Sequence, residues 1–395
     1  MNKKVAFVVQ RCGREVNGGA EKLCFLIAQR ISINYQVEVL TTCAVDYISW
    51  ANHYPPGIEL IDGVFVRRFL VSNTRVIESF NSLSSQLRSN INADLDQQQQ
   101  WMRSQGPWSP ELFEFIKSHS EEYHAFVFFG YLYAQTWFGL PLVANKAILV
   151  PLAHDEWTIY LSMWDHFFSL PCGFIFNTIE ERDFITKRFP TLRIDGPVAG
   201  VAIDHLTDID PLRFRLKYKI DGGFLLYIGR IDPSKGCDSL FAFFLKRRVA
   251  RKNPAKLLLF GNATMLIPDH ADIISLGFIN EQDKWDGLAA CDALVMPSPY
   301  ESLSMVLLEA WSVAKPVIVN GHCKVLVGQC QRSNGGIWYE SFSQFDQCLD
   351  IIQNGFYSSV IGKQGWRFVR KNYSWDSIES VYLDCLRDLI PKGSS

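Results

Sequence analysis

The sequence predicts an α/β protein made of two doubly wound parallel-sheet domains facing a cleft. Three observations carry this. Short, continuous apolar runs alternate with segments of helical length, the pattern of parallel strands covered on both faces by crossover helices. The alternation is interrupted once, near Gly196 to Pro211, and then restarts. The length of 395 residues is comfortable for two cores and large for one.

The elements follow in order. Residues 5–9 (Val-Ala-Phe-Val-Val) form a first strand, closed by Gln10-Arg11. Gly18-Gly19 turn the chain into a helix over 20–31, and residues 37–40 form a second strand. Residues 58–61 and 64–69 flank Asp62-Gly63, a hairpin signal. Residues 79–105 are polar, with four glutamines at 97–100, yet Trp101, Met102 and Trp108 argue for an ordered helical insertion spanning about 79–122. Within it, Ser109 is a helix N-cap and Pro110 the first helical residue. Further strands are expected at 125–129, 147–152 and 174–177. The stretch 196–211 reads as a linker. Beyond it, strands at 224–228, 257–260, 273–276, 293–296 and 316–319 alternate with helices at 237–248, 281–290, 304–313 and 343–352. The resulting division is 1–200, 201–371, and a C-terminal helix in 372–395 that returns to the first domain.

Composition narrows the function. Hydrophobic residues make up 48% and charged residues 20%, and the formal net charge is -2, so a general nucleic-acid role has no support. Ten cysteines are dispersed in apolar contexts with no C-x-x-C, which reads as buried thiols in a reducing, cytoplasmic setting. The apolar run after Lys3-Lys4 is too short for a secretory leader, and no window reaches the roughly 18 apolar residues of a membrane span.

Chemistry concentrates at strand ends, where ligands bind in doubly wound sheets. Glu301 and Glu309 are eight residues apart in Pro-Ser-Pro-Tyr-Glu-Ser-Leu-Ser-Met-Val-Leu-Leu-Glu. If mostly helical, that is roughly 12 Å along the axis. Each carboxylate can accept two hydrogen bonds from a vicinal diol, and the helix N-terminus between them suits a diphosphate. Gly229-Arg230 and Lys235-Gly236 place a rigid fork and a mobile point charge in one strand-to-helix loop. Gly18-Gly19-Ala20-Glu21 follows the first strand, where paired glycines permit close backbone approach and positive φ. It is neither G-x-G-x-x-G nor a P-loop, which disfavours nicotinamide and ATP chemistry. His154 follows the apolar run 148–152, at a strand end. No second histidine stands at metal-ligand spacing, which disfavours zinc, and no cofactor is expected. Asp94-Leu95-Asp96 and Asp208-Ile209-Asp210 match D-x-D by chance, since neither follows a clear strand.

Taken in order, Gly18-Gly19-Ala20-Glu21, His154, Gly229-Arg230, Lys235-Gly236 and Glu301…Glu309 resemble the family 4 glycosyltransferases over nearly the whole chain, most closely over 226–319, where Asp292 and Pro297-Ser298 also fit. The resemblance implies the GT-B fold and a retaining, metal-independent transfer from a nucleotide-sugar. It implies that Arg230 and Lys235 bind the diphosphate, Glu309 the ribose and Glu301 the donor sugar. Backbone amides of Ser302, Leu303 and Ser304 would cap the sugar and phosphate end. His154 would contact the sugar near the reacting centre, Gly18 and Gly19 would let a loop close over the phosphates, and Phe278 and Ile279 would lie near the base. The catalytic set is then His154, Glu301, Arg230 and Lys235. The acceptor would be a glycan, lipid-linked or small-molecule acceptor in polysaccharide or glycoconjugate synthesis, with a peripheral membrane contact through Arg67, Arg68, Arg75 and Arg88 left open.

One departure stands out. Relatives carry Gly-Gly and a glutamate where this chain has Asn320-Gly321-His322-Cys323-Lys324, which leaves the donor sugar open. Two other functions share the architecture: a non-catalytic nucleotide-sugar-binding subunit, and a nucleotide-sugar epimerase.

Overall fold

The computed structural model describes residues 3–16, 18–204, 206–250 and 255–389. The chain divides into two compact units, one of Met1–Val201 with Trp375–Ser395 and one of Ala202–Ser374.

The first unit runs β1 (Lys4–Arg11), α1 (Gly19–Ile31), β2 (Gln36–Thr42), β3 (Gly57–Ile61), β4 (Val64–Phe69), α2 (Ile77–Ser89), α3 (Leu95–Gln105), α4 (Pro110–Ser118), β5 (Ala125–Phe129), α5 (Ala134–Gly139), β6 (Ala147–Val150), α6 (Met163–Phe167), β7 (Gly173–Phe174) and α7 (Ile179–Arg188). Its seven-stranded sheet has the order β3-β4-β2-β1-β5-β6-β7. Val5 pairs with Val37 on one side and with Ala125 on the other, both in parallel register. Every residue of β1 from Val5 onward is buried, as its unbroken apolar sequence requires. β3 is the exception to the parallel expectation. It pairs antiparallel with β4 through a tight turn with Asp62 at φ 44° and Gly63 at φ 87°, and as an edge strand it is exposed except at Ile61.

The second unit runs α8 (Pro211–Tyr218), β8 (Phe224–Ile228), α9 (Cys237–Ala250), β9 (Lys256–Phe260), β10 (Ile273–Gly277), α10 (Glu281–Ala290), β11 (Ala293–Met296), α11 (Met305–Ser312), β12 (Val317–Asn320), α12 (Lys324–Ser333), β13 (Gly336–Tyr339), α13 (Phe342–Gln353) and α14 (Gly355–Asn372). Its six strands are all parallel, in the order β10-β9-β8-β11-β12-β13. β8 and β11 lie side by side at the point where the order reverses, which is the ligand position in such sheets. The final helix, α15 (Trp375–Asp388), belongs to the first unit. The Arg30 guanidinium lies 4.6 Å from the Trp375 ring centre, and His124 Nε2 donates to the Leu386 carbonyl at 2.8 Å.

Several expectations need correction. β1 continues through Gln10 and Arg11, because the Arg11 charge is paired inside the fold. β6 stops at Val150, since Pro151 has no N–H and Leu152 takes φ 55°. β7 is only Gly173–Phe174, with Phe176 making an isolated bridge to Val198. The end of the supposed linker is α8, capped by the Asp210 carboxylate on the Leu212 N–H at 2.8 Å with Pro211 at its first position. α12 and β13 were not foreseen. Ser109 precedes α4, but its hydroxyl makes no capping bond. Both D-x-D pairs are structural: Asp94 caps α3 through the Gln97 N–H, and Asp208 pairs with Arg213 at 2.9 Å. Trp101, Tyr131 and Trp164 are core residues at 1% exposure or less.

Candidate functional site

In the second unit the candidate residues collect at the carboxyl ends of β8 and β11. Leaving β8, the chain passes Gly229 and Arg230 into a 3₁₀ turn, Pro233–Lys235. Asp232 caps that turn, its carboxylate accepting from the Lys235 N–H at 3.0 Å and the Ser234 hydroxyl at 2.6 Å. Arg230 Nε also donates to Asp232, and Arg230 Nη2 to Ser234 Oγ at 3.3 Å. Burial alone would raise the Asp232 pKa. The hydrogen bonds from Ser234 and Arg230 outweigh it and hold the carboxyl below its ordinary range. The Tyr227 hydroxyl donates to the Arg230 carbonyl at 2.6 Å and fixes the backbone beneath the guanidinium.

Gly236 then lets this turn touch the loop after β11. Its φ is 73°, and a Cβ there would lie 2.3 Å from the Pro297 carbonyl oxygen. No other residue type fits both conditions. The contact sets Lys235 beside Glu301, with Nζ 2.7 Å from Oε1. Their side chains are 32% and 15% exposed, so the pair is reachable from solvent yet partly shielded from it.

After Glu301 the chain passes Ser302, Leu303 and Ser304 into α11. The Leu303 carbonyl accepts from Gln329 Nε2 at 2.6 Å. Ser304 stands at the N-cap with φ 67°, and its buried hydroxyl has no hydrogen-bond partner. Among the described residues, no hydrogen bond uses the N–H of Leu303 or Ser304. The start of α11 therefore presents donors with no protein acceptor, next in sequence to the Lys235–Glu301 pair.

Glu309, on α11, is 3% exposed. Its Oε1 accepts from Lys284 Nζ at 2.8 Å, and Lys284 also bonds Glu281 at 2.8 Å. Burial works against the Lys284 charge, but Glu309 and Glu281 prevail and raise its pKa. Trp311 locks the same helix, donating to the Gly335 carbonyl at 2.8 Å. Phe278 and Ile279 follow the edge strand β10. Phe278 is 62% exposed, and no hydrogen bond or ion pair among the described residues ties either one to Lys235 or Glu301. In the departing loop, the Asn320 side-chain amide donates to the Pro297 carbonyl at 2.8 Å, while His322 is exposed and Lys324 opens α12.

In the first unit, Gly18 is the N-cap of α1 and Gly19 its first residue. Neither has the positive φ that the sequence suggested, since Gly18 is extended at φ -165°. Gly18 is required for space: a Cβ would lie 2.1 Å from Glu21 Oε2. Glu21 cannot swing away, because Arg11 holds it with Nε at 2.8 Å and Nη2 at 2.5 Å. Gly19 faces open space.

His154 follows β6 and is about one-quarter exposed, with Nδ1 3.2 Å from Glu156 Oε1. The segment before it is held by Glu181, a residue the sequence reading passed over. Glu181 Oε1 accepts from the Ala153 N–H at 2.7 Å and Oε2 from the Asn177 N–H at 2.8 Å. Burial pushes its carboxyl up to about 7. The signal was present as Thr178-x-x-Glu181, a capping box, and Thr178 Oγ1 does accept from the Glu181 N–H at 3.2 Å. Lys284 had no such signal, because its partner lies 25 residues away.

Of the four arginines considered for a membrane face, Arg67 pairs with Glu38 at 2.6 Å and Arg68 with Glu59 at 2.6 Å. Arg75 is engaged by backbone carbonyls. Arg88 is exposed and makes no hydrogen bond or ion pair with any described residue. No described helix is long and apolar enough to cross a membrane.

Known proteins bear on this arrangement. Residues 223–339 match the family model Glycosyl transferases group 1. An uncharacterized glycosyltransferase of Methanocaldococcus jannaschii is 25% identical over 172 residues, 40% of this chain and 43% of that protein, so the match spans less than half of that relative's length. D-inositol 3-phosphate glycosyltransferase 2 of Catenulispora acidiphila is 24% identical over 76% of this chain and 73% of its own. Among solved structures, sucrose-phosphate synthase from Thermosynechococcus elongatus superposes with a TM-score of 0.71 at 14% identity, covering 99% and 100% of the two chains. The Anabaena protein HepE, in complex with UDP and glucose, gives 0.69 at 15% identity over 98% and 99%. The chain thus has the GT-B fold, and its second unit carries a glycosyltransferase group 1 domain.

Proposed function

We propose that this protein is a retaining, metal-independent glycosyltransferase of the family 4 type. It moves a sugar from a nucleotide-sugar donor to a glycan, lipid-linked or small-molecule acceptor in cytoplasmic polysaccharide or glycoconjugate synthesis. The observation that carries the reading is the Lys235–Glu301 pair at 2.7 Å, set between the Arg230 loop and the donor-rich start of α11, inside the segment that matches the group 1 model. Bound UDP in HepE, a structural neighbour, supports a nucleotide-bearing donor.

On this reading the diphosphate takes the positive groups. Lys235 and Arg230 neutralise charge as it grows on the leaving phosphate, and the free N–H groups of Leu303 and Ser304 hydrogen-bond the same end. Glu301 trades part of its hold on Lys235 for hydroxyls of the donor sugar. Glu309, held by Lys284, is assigned the ribose hydroxyls. His154 is assigned the contact with the donor sugar. Gly18 and Gly19 are assigned to the loop that closes over the phosphates and acceptor. Phe278 and Ile279 are assigned to the base, where the exposed Phe278 ring offers a stacking face. The acceptor hydroxyl attacks on the face the leaving group departs from, so no protein nucleophile is needed.

The test is nucleotide release from UDP-, GDP-, dTDP- and ADP-sugars by purified protein with a chelator present, alongside donor binding in the same samples. One productive donor, with turnover lowered about 100-fold or more by K235A or E301A, supports the reading. Neither release nor binding of any donor overturns it.

A further inference from the structure

The first unit contains a cavity of about 370 Å³ lined by none of the donor-site residues assigned above. Its walls are the loop after β2 (Trp50), the loop after β4 (Asn73, Arg75), and the α2–α3 helical hairpin with the segment that follows it (Phe80, Arg103, Trp108). β2 and β4 are parallel neighbours, so the first two walls stand at carboxyl ends of strands, the ligand side of the sheet. The walls are tied together. The Ser72 N–H donates to the Trp108 carbonyl at 2.9 Å, and Trp50 Nε1 to the Gln105 carbonyl at 2.7 Å.

The charge of this cavity is one-sided. Its lining includes two arginines and no Asp or Glu. Arg75 is partly buried, and four of its contacts are to carbonyl oxygens, of Ile48, Tyr47 and Gln105, the last by both backbone and side chain. None is a carboxylate. Asp46, the acid whose field reaches it, is occupied by the N–H groups of Ile48 and Ser49 and by the Ser49 hydroxyl. Arg103 is exposed and lies 5.2 Å from the Trp108 ring centre and 5.8 Å from that of Phe138. It makes no hydrogen bond or ion pair with any described residue. Neither guanidinium bonds a carboxylate, so an anion entering this cavity would meet two cations and no competing acid on its walls. Phe80 is stacked on Trp101 and has the Arg75 guanidinium 4.8 Å from its ring centre, so Trp108 is the lining ring that suits the C–H face of a sugar.

We propose that this cavity binds an anionic saccharide, with its ring against Trp108 and its carboxylate or phosphate at Arg103 and Arg75, as the recognised part of the acceptor. The acceptor role rests on the glycosyltransferase reading; the site itself does not.

Calorimetric titration of the full chain with three probes tests this: a glucuronate-terminated disaccharide, a glucose-6-phosphate-terminated disaccharide and the neutral glucose disaccharide. The expected result is binding of at least one charged sugar about tenfold or more tighter than the neutral one, with the preference shrinking as salt rises. The better of the two charged sugars identifies the anion. R103A removes the preference, and R103K restores part of it, since lysine keeps the charge and loses the fork. Arg103 is exposed, so circular dichroism of R103A should match the parent. Equal affinity for charged and neutral sugars, no binding of any of the three, or an unchanged preference in R103A overturns the proposal. Donor binding on the same preparation separates the two readings. Donor bound with no preference for charged sugar overturns this inference alone. Charged sugar bound without any donor upholds the cavity and overturns the transferase reading.

Discussion

Replacing Glu181 with glutamine should abolish a pH dependence of stability built into the His154 segment. Glu181 is fully buried, and its carboxyl is pushed up to about 7 from an ordinary 4.5. Between those values the folded protein holds a proton that the unfolded chain has released. Folding stability therefore falls as pH rises through that window, and the whole penalty persists above it. The shift corresponds to about 3 kcal/mol in full, of which about 2.5 kcal/mol is lost between pH 5 and pH 8.

E181Q cannot titrate, and it also carries a separate, pH-independent cost. The two carboxylate oxygens serve two different N–H groups, of Ala153 and Asn177. An amide offers one oxygen and turns an N–H toward the other donor, which should cost about 1–3 kcal/mol. The variant is then the less stable protein at pH 5. Its deficit should shrink by about 2.5 kcal/mol by pH 8 and close or reverse there. Urea unfolding of both proteins at pH 5, 6, 7 and 8, followed by circular dichroism, measures the difference. A difference constant to within about 0.5 kcal/mol across that range would refute the account, because it would mean that Glu181 titrates alike in folded and unfolded chains.

Three further outcomes follow from the same geometry. K284A strands the Glu309 carboxylate, 4% exposed in its side chain, without its ammonium. It should cost about 3–5 kcal/mol, read as a lowered thermal midpoint, whereas an unchanged midpoint would mean that the pair is solvated. G236A should destabilise the second unit by about 2 kcal/mol or more, because it adds positive-φ strain to a 2.3 Å clash with the Pro297 carbonyl. G19A, facing open space at the start of α1, should be neutral or stabilising by up to about 1 kcal/mol, and equal effects of the two would argue against the assigned backbone geometry. Cys172, the one exposed residue among the described cysteines, has its sulfur partly covered against the Ala147 carbonyl at 3.1 Å, and this desolvation raises its pKa to about 11. Under native conditions it should be the first to react with a thiol reagent, at a rate rising about tenfold per pH unit between 8 and 10; prior labelling at another cysteine would contradict the burial pattern.

The parts of the fold legible in the sequence are those whose cause is local. β5 and β8 match expectation because a continuous apolar run has one stable place, inside a parallel sheet. The hairpin at Asp62-Gly63 is encoded by its two turn residues. α8 was also encoded locally, by Asp210-Pro211, and Asp232-Pro233 repeats the same N-cap-and-proline signal in the loop that carries Arg230 and Lys235. Reading 196–211 wholly as linker gave weight to glycine and proline content and overlooked that cap. β13, four residues opening on Gly336, is missed by the sequence reading, and β7 is expected over 174–177 but comprises only Gly173–Phe174.

For the candidate site, the sequence supplies residue types but not their partners. Glu301 and Lys235 are both conspicuous, yet their pairing depends on Gly236 admitting the Pro297 carbonyl, a contact between segments 61 positions apart. The same holds for Glu309, which looks like a lone polar residue in an apolar helix until Lys284 is brought to it. Glu21 looks like a first-turn acid until Arg11 reaches it from inside β1. In each case a charge in the chemistry-bearing segment is buried or half-buried and then matched by a residue from another element. The matching residue earns no notice by itself, because an isolated lysine or arginine is ordinarily a solvated surface group. The cavity in the first unit reverses this pattern. Arg75 and Arg103 look equally ordinary in sequence, but the fold gathers them among aromatic rings and supplies neither with a carboxylate. Two arginines that bond no carboxylate and line one cavity are what make that cavity the proposed place for a ligand of opposite charge.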